Sequence, residues 1–198
     1  MRLPVSILLI GLMGCAHVRE FHPLPHTLAN YAVQCVDVRK VVCVSDADMN
    51  AAQCNELVPY AVFEINRAIG REVLVYAGVI PGDDAVVRAR YAAGDLVVFA
   101  AKLPENVLGM TVPAVSLAAN GDAACIDRVI TVLDVALLNE KRVVAAPVLI
   151  HELVHALGFA HAPPGHYGSI MAPAVSSDQA SLHLTPADIR SLRDTYGR

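Results

Sequence analysis

Residues 151–161, HELVHALGFAH, constrain this chain more than any other stretch of it. His151 and His155 are four positions apart, so on a helix their side chains lie one above the other and can hold one cation between them. Glu152 projects about 100° further round the helix, which places a carboxylate beside that cation without making it a ligand. The stretch therefore predicts a metal site with a base next to it.

The helix that carries this motif is predicted over residues 147–157, with Gly158 ending it. Pro147 suits the first turn because a proline there has no N–H to lose, and glycine tolerates the left-handed conformation that reverses the chain. The reversal would bring in His161 as a third ligand. Three neutral imidazoles with an open fourth position are typical of one catalytic Zn²⁺ ion, since structural zinc usually has four protein ligands.

Zinc at such a site predicts a hydrolytic enzyme. The ion would lower the pKa of a bound water and polarise a substrate carbonyl, while Glu152 would act as general base and then as general acid. The alternative is a coincidental spacing, but all five positions would match by chance in roughly one in 10⁴ to 10⁵ chains of this composition. We therefore predict a zinc endopeptidase that cleaves protein or peptide substrates.

The motif resembles the long zinc signature of the metzincin metallopeptidases. The matching residues are His151, Glu152, His155, Gly158 and His161. Metzincins also have a methionine-containing turn beneath the zinc, and Met171 stands ten residues past His161 in the stretch SIMAP. The closing stretch LTPADIRSLRDTYG is similar to the last helix of the matrixin branch, with Thr185 as its cap and Pro186 in its first turn.

The resemblance implies an α+β catalytic domain over residues 33–198, with a metzincin-like zincin fold. Its upper part, residues 33–161, would contain a twisted, mixed, mostly parallel sheet, a helix packed on that sheet and the active-site helix. Its lower part, residues 162–198, would contain the methionine turn and the final helix. Zinc would lie at the floor of a cleft between the two parts.

The resemblance also implies roles for residues outside the zinc signature. Met171 would support the histidines without binding metal. Pro173 would help to form a wall of the pocket for the side chain that follows the scissile bond. The substrate backbone would add as a strand to the edge of the sheet, at Val107, Leu108 and Gly109.

Three positions depart from the patterns of known branches and leave the subfamily open. Ala162 and Ala172 stand where matrixins commonly have serine and tyrosine. Pro173 stands where the astacin and serralysin branches have a zinc-binding tyrosine. Because three histidines already complete a catalytic site, we interpret three further residues as ordinary loop or polar positions: Tyr167, His166 and His183.

Helical periodicity and valine-rich stretches predict the rest of the domain. Residues 58–69 have apolar side chains at helical spacing, and Gly70 ends that helix. Valine-rich stretches predict strands at residues 36–44, 72–80, 94–103, 106–115 and 126–132. This alternation of strands and helices indicates a mixed, mostly parallel sheet with helices packed against it.

The first 14 residues, MRLPVSILLIGLMG, have the charged, apolar and small-residue order of a secretory signal. Cys15 follows directly and completes a lipobox, so we predict a bacterial lipoprotein with lipid on Cys15; the alternative is an ordinary signal peptide. Residues 15–32 would be a flexible tether. Lipid would hold the domain at a membrane surface, and Ala16, which is not the aspartate of inner-membrane retention, favours the outer membrane of a Gram-negative cell.

Four cysteines remain in a chain bound for an oxidising compartment: Cys35, Cys43, Cys54 and Cys125. An even number there predicts two disulfides, for which three pairings are possible. Zinc binding by these cysteines is the alternative, but none has the close C-x-x-C spacing of such sites.

The charge pattern indicates which classes of partner the protein can bind. The net charge is -4 and no basic cluster is present, which excludes the electrostatic footprint of a nucleic-acid-binding protein. Structural calcium, which some relatives bind, is not indicated, because no EF-hand loop is present. The expected partners are therefore protein or peptide substrates and, through the lipid, a membrane.

No cysteine-switch prosegment is present, so we predict an enzyme that is active without a long propeptide, although Cys35 or Asp37 could reach the metal. Two other functions fit parts of the sequence. A zinc-binding lipoprotein without turnover has no need of Glu152, and an adhesion or scaffold module needs neither Glu152 nor the methionine turn. The sequence specifies neither the cleaved substrate nor an oligomeric state.

Overall fold

The computed structural model describes residues 29–30, 32–117, 124–141, 143–164, 166, 168–173 and 183–198. The predicted signal peptide, lipidated Cys15, residues 16–28 of the tether and Tyr167 lie outside the described residues. Within the described part, no helix is long and apolar enough to cross a membrane.

One six-stranded sheet forms the centre of the domain. Its strands are β1 (Val33–Gln34), β2 (Arg39–Ser45), β3 (Leu74–Pro81), β4 (Leu96–Ala100), β5 (Gly109–Leu117) and β6 (Ala124–Leu133). The order across the sheet is β3-β2-β4-β6-β5, with β1 beside the start of β6. Every pair is parallel except β5 with β6, which confirms the predicted mixed, mostly parallel sheet.

Within the described residues, five helices accompany the sheet: α1 (Ala51–Ile69), α2 (Asp84–Ala92), α3 (Val135–Glu140), α4 (Ala145–Ala156) and α5 (Pro186–Tyr196). Helices α1, α4 and α5 share one apolar core with the inner face of the sheet. Helix α2 covers part of the other face, where Val87 packs with Val44 and Val97. The α+β architecture is therefore the predicted one.

Helix α1 begins earlier than its apolar stripe predicts. The stripe indicated residues 58–69, but the Asn50 side chain accepts hydrogen bonds from the backbone N–H groups of Ala52 and Gln53. The Asn50 N–H in turn donates to the side-chain oxygen of Gln53. This capping box satisfies the first free N–H groups and starts the helix two turns before the stripe. The predicted end is confirmed, because Gly70 has the left-handed φ of 92°.

Two short helices, α2 and α3, were not predicted. Each begins at an aspartate whose carboxylate accepts backbone N–H groups, Asp83 for α2 and Asp134 for α3. The motif helix α4 begins two residues before the predicted Pro147. The strand predicted at residues 106–115 begins only at Gly109, because Val107 closes a turn by donating its N–H to the carbonyl of Pro104.

Two disulfides are present, as the even cysteine count predicts. Cys35 pairs with Cys125, which joins the segment after β1 to β6. Cys43 pairs with Cys54, which joins β2 to α1 across the buried core. The pairing selects one of the three connectivities and leaves Cys35 bonded, so its thiol is not free to bind a metal.

Part of the segment predicted as a tether packs against the domain. The N–H of Ala160 donates to the carbonyl of Ala29 across 2.8 Å, and Ala32 is buried. Residues 29, 30 and 32 thus pack against the loop that follows α4, next to His161.

Candidate active site

Helix α4 and the turn after it bring the three predicted histidines together. The ring nitrogens of His151 and His155 approach to 2.9 Å through their Nε2 atoms. One ligand nitrogen from each of His151, His155 and His161 lies within 4.8 Å of the others. Among the described residues, no other group of three or more His, Cys, Asp or Glu side chains converges in this way. His166 and His183 lie outside the cluster, as predicted.

Backbone carbonyls orient two of the imidazoles. His151 donates its Nδ1–H to the carbonyl of Ile170 at 2.6 Å, and His155 donates its Nδ1–H to the carbonyl of Phe159 at 2.7 Å. A carbonyl only accepts, so the proton of each neutral ring must sit on Nδ1. The Nε2 lone pair of each ring therefore faces the other histidines, which is the tautomer that a metal requires.

Burial keeps these rings uncharged at neutral pH. It lowers the pKa of His151 to about 3, with a further contribution from the neighbouring His155. Burial likewise lowers the pKa of His155 to about 4, and it lowers that of His161. Since the neutral imidazole is the form that binds metal ions, the donor set fits one zinc ion with three nitrogen ligands.

Gly158 makes the reversal that positions His161. Its φ of 93° lies in the left-handed region, as the sequence predicts. A Cβ at this position would lie 1.8 Å from the carbonyl oxygen of Ala32, which is a backbone atom and not the flexible end of a side chain. Glycine is therefore required here by conformation and by close packing together.

The methionine turn lies directly beneath the histidines. Ile170 supplies the carbonyl that orients His151, and the carbonyl of Met171 accepts the N–H of Ala162, next to His161. The Met171 side chain is fully buried in the core. The turn thus supports His151 and the segment that carries His161, mainly through backbone groups.

A buried carboxylate that sequence reasoning missed ties this turn to the last helix. Asp188 is 0% exposed and accepts hydrogen bonds from the Ser169 hydroxyl and the Thr185 N–H. The predicted cap at Thr185 and Pro186 in the first turn are both confirmed. The spacing of Thr185 and Asp188 is a capping-box signal that could have revealed the carboxylate, but not its bond to the turn.

Glu152 lies on α4 beside the histidines and faces the start of β5. Its side chain is buried, and this burial raises the pKa of the carboxyl to about 7. Gly109 leaves the space that the side chain occupies, because a Cβ there would lie 2.8 Å from Glu152 Cγ and 2.9 Å from Oε1. The residue predicted as general base is thus enclosed between a helix and a strand.

The strand next to Glu152 lies at the edge of the sheet. Among the described strands, β5 pairs only with β6. Leu108 directs its carbonyl toward β6, where the Asp134 N–H donates to it at 3.0 Å. Because backbone groups of an antiparallel pair alternate in direction, Gly109 and Thr111 direct theirs to the open side. Pro113 falls on that side too, where its missing N–H costs no bond to β6.

The residues predicted to bind substrate therefore do not all lie on the open edge of β5. Val107 lies in the turn before β5, Leu108 directs its carbonyl to β6, and Gly109 begins the open edge. Pro173 is exposed at the end of the methionine turn. Their roles in binding substrate remain predictions.

Together, the convergent histidines, the adjoining glutamate and the methionine turn define the metzincin class of zinc metallopeptidases. The family model for Matrixin matches residues 83–197, more than half of the chain. This protein belongs to the matrixin family, as the resemblance of its motifs predicts. Comparison with curated proteins finds no similar sequence.

Proposed function

We propose that this protein is a zinc-dependent endopeptidase. The observation that carries the proposal is the convergence of three neutral histidine rings with a buried carboxylate on the same helix, α4. His151, His155 and His161 would hold the ion. When bound, zinc supplies a lowered pKa for a coordinated water and a positive charge that polarises a peptide carbonyl.

Glu152 would move the proton in this reaction. It follows His151 directly but points to β5, so it lies beside the ligand set without joining it. Its carboxylate would accept a proton from the attacking water and donate one to the leaving amine. Enclosure by Gly109 keeps bulk water away from one side of the group, which strengthens its interaction with charge that develops nearby.

The open edge of β5 would bind the substrate backbone. Gly109 and Thr111 present backbone donors and acceptors there, and an extended peptide satisfies such groups by adding as a further strand. The same two residues contact Glu152 on the face of the sheet that packs against α4. A peptide bound along β5 would therefore lie at a fixed distance from the Glu152 carboxylate.

Replacing Glu152 with glutamine tests the proposal. We expect Glu152→Gln to retain one zinc per chain and to lower kcat/KM for a peptide library by about 10²–10⁴-fold, the usual contribution of a general base. Zinc is measured by metal analysis of the full chain and cleavage by mass spectrometry. Glu140→Gln, at an exposed position, is the matched control and should cleave like the wild type.

Two outcomes would contradict the proposal. A wild-type protein that binds zinc and cleaves no peptide would indicate a zinc-binding protein without turnover. Full activity in Glu152→Gln would remove the glutamate from the mechanism.

We also propose that lipid on Cys15 anchors the enzyme to a membrane, at the periplasmic or outer face of a Gram-negative outer membrane. The proposal rests on the apolar run and Gly14 that precede Cys15. Acyl chains on this residue would hold the domain at the surface without a spanning helix.

Cys15→Ser is expected to shift the protein from the membrane fraction to the soluble fraction almost completely, because no acyl chain can be attached. Fractionation after labelling with a radioactive fatty acid measures both properties. Cys15→Ser protein that stays in the membrane fraction would contradict lipid anchoring.

A further inference from the structure

Two residues of β5 contact Glu152. The strand that would bind substrate therefore also contacts the residue predicted as general base. Side chains at positions 109 and 111 point to the same side of the sheet, because the side-chain period of a strand is two. That side faces α4. Gly109 lies against the Glu152 side chain, and Thr111 lies against the backbone of the same residue.

The Thr111 hydroxyl forms the direct link. It donates to the backbone carbonyl of Glu152 at 2.9 Å, and both residues are 5% exposed. The Thr131 hydroxyl on β6 lies 3.1 Å from Thr111 Oγ1 and is fully buried. Since Thr111 uses its proton for Glu152, Thr131 donates to Thr111. The two hydroxyls thus form a short chain that ends on the residue predicted as general base.

The backbone polar groups of Thr111 point in a different direction from its side chain, along the plane of the sheet. Its N–H and C=O groups lie on the open side of β5, where the proposed function places the substrate. One residue therefore contacts the peptide to be cleaved through its backbone and the residue that moves the proton through its side chain. Movement of α4 relative to β5 would change the distance between the bound peptide and Glu152.

We propose that Thr111 is a positioning residue for catalysis, whose hydroxyl holds Glu152 at a set distance from substrate bound on β5. This inference rests on the proposed function and adds the residue that sets the placement of its general base. Thr111 itself transfers no proton and binds no metal.

A purely structural role makes a different prediction. In that case the loss of either buried hydroxyl would lower stability and activity together, because each leaves its neighbour with one hydrogen bond fewer. Thr131 is the matched control, since its hydroxyl is buried in the same chain but bonds Thr111 and not Glu152.

The experiment compares the full chain with Thr111→Val, Thr111→Ser and Thr131→Val. We expect Thr111→Val to lower kcat by about 10–100-fold with KM within about two-fold of the wild type, because small misplacements of catalytic groups cost up to that much. Thr111→Ser retains the hydroxyl and should recover kcat to within about three-fold of the wild type. The kcat of Thr131→Val should also lie within about three-fold of the wild-type value.

Zinc affinity, measured by competition with a chelator, provides a readout apart from activity. It should be unchanged in all variants, because none of the substituted side chains contacts a histidine of the ligand set in the described hydrogen-bond pattern. Thermal unfolding should shift equally for Thr111→Val and Thr131→Val. If Thr111→Val does not fold, Thr111→Ala, which relieves any crowding by the second methyl group, takes its place with the same expected kcat.

Full kcat in Thr111→Val, an equal loss in Thr131→Val, or a loss confined to KM would overturn the positioning role while leaving the proposed function in place. A wild-type chain that binds zinc and cleaves nothing would overturn the proposed function and this role with it.

Discussion

Replacing His161 with alanine is expected to abolish peptide cleavage and to weaken zinc binding by more than about a hundred-fold. Removing an outer partner of a metal ligand already costs about 10–100-fold in affinity, and His161→Ala removes a ligand. His161 is also only half-buried and follows α4, so its loss should leave the helix intact. Affinity is measured by competition with a zinc chelator and cleavage with the same peptide library.

Stability measurements give an independent test of the same ligand. Zinc that binds only the folded chain raises the free energy of unfolding by about 2.7 kcal/mol at a concentration one hundred times Kd. We expect added zinc to raise the Tm of the wild type and of His183→Ala, an exposed histidine outside the cluster. It should leave the Tm of His161→Ala unchanged at the same concentration. An equal rise in His161→Ala would exclude His161 from the ligand set.

Gly158→Ala is expected to destabilise the folded domain by more than about 4 kcal/mol, a size that single substitutions reach only through a specific defect. The added Cβ would lie 1.8 Å from the carbonyl oxygen of Ala32. Relief requires movement either of the backbone at Ala32 or of the turn that carries His161. We therefore expect a lower midpoint of urea unfolding together with weaker zinc binding.

Gly70→Ala separates the two causes of this effect. Gly70 has a φ of 92°, almost the same as the 93° of Gly158, but a Cβ there meets nothing within 4 Å. The left-handed conformation alone should cost about 1–2 kcal/mol, with zinc affinity unchanged. Equal destabilisation in the two variants would mean that strain, and not the contact with Ala32, makes Gly158 necessary.

Local patterns were the most reliable part of the sequence prediction. The spacing of His151 and His155 depends on helical geometry, and the left-handed turn at Gly158 uses the conformational freedom of glycine, so both are present as predicted. The final helix is likewise where Thr185 and Pro186 place it. These features arise within a few residues along the chain, which is the range over which sequence patterns act.

The sequence prediction was wrong where the apolar pattern is weak or where a distant segment sets the boundary of an element. Helix α2 is capped by Asp83, shortly after the strand predicted at residues 72–80, but its apolar stripe is too weak to indicate a helix. The start of β5 is set by a turn at Val107 and by the bond from Asp134 to Leu108. That bond joins two segments that are distant in sequence, so the valine-rich pattern could not place the boundary.

Polar groups in the interior show the same limit. Arg39 lies in a valine-rich stretch, yet it is 2% exposed and donates to the carbonyls of Gly94, Ile126 and Asp127. Burial lowers its pKa, and three carbonyl acceptors compensate for the lost hydration. Partners from two segments that are distant in sequence cannot be inferred from the residue type alone.

The sequence by itself determined the chemistry of this protein: the three histidines, Glu152, the reversing glycine and the even set of cysteines are fixed in number and spacing along the chain. The tertiary structure alone decided which carbonyls orient the rings, how the cysteines pair, and that Thr111 of β5 bonds Glu152 of α4. The physical reason is separation along the chain. Helical spacing and glycine conformation are local, whereas a hydrogen bond between residues 41 positions apart exists only after the sheet and helix have packed.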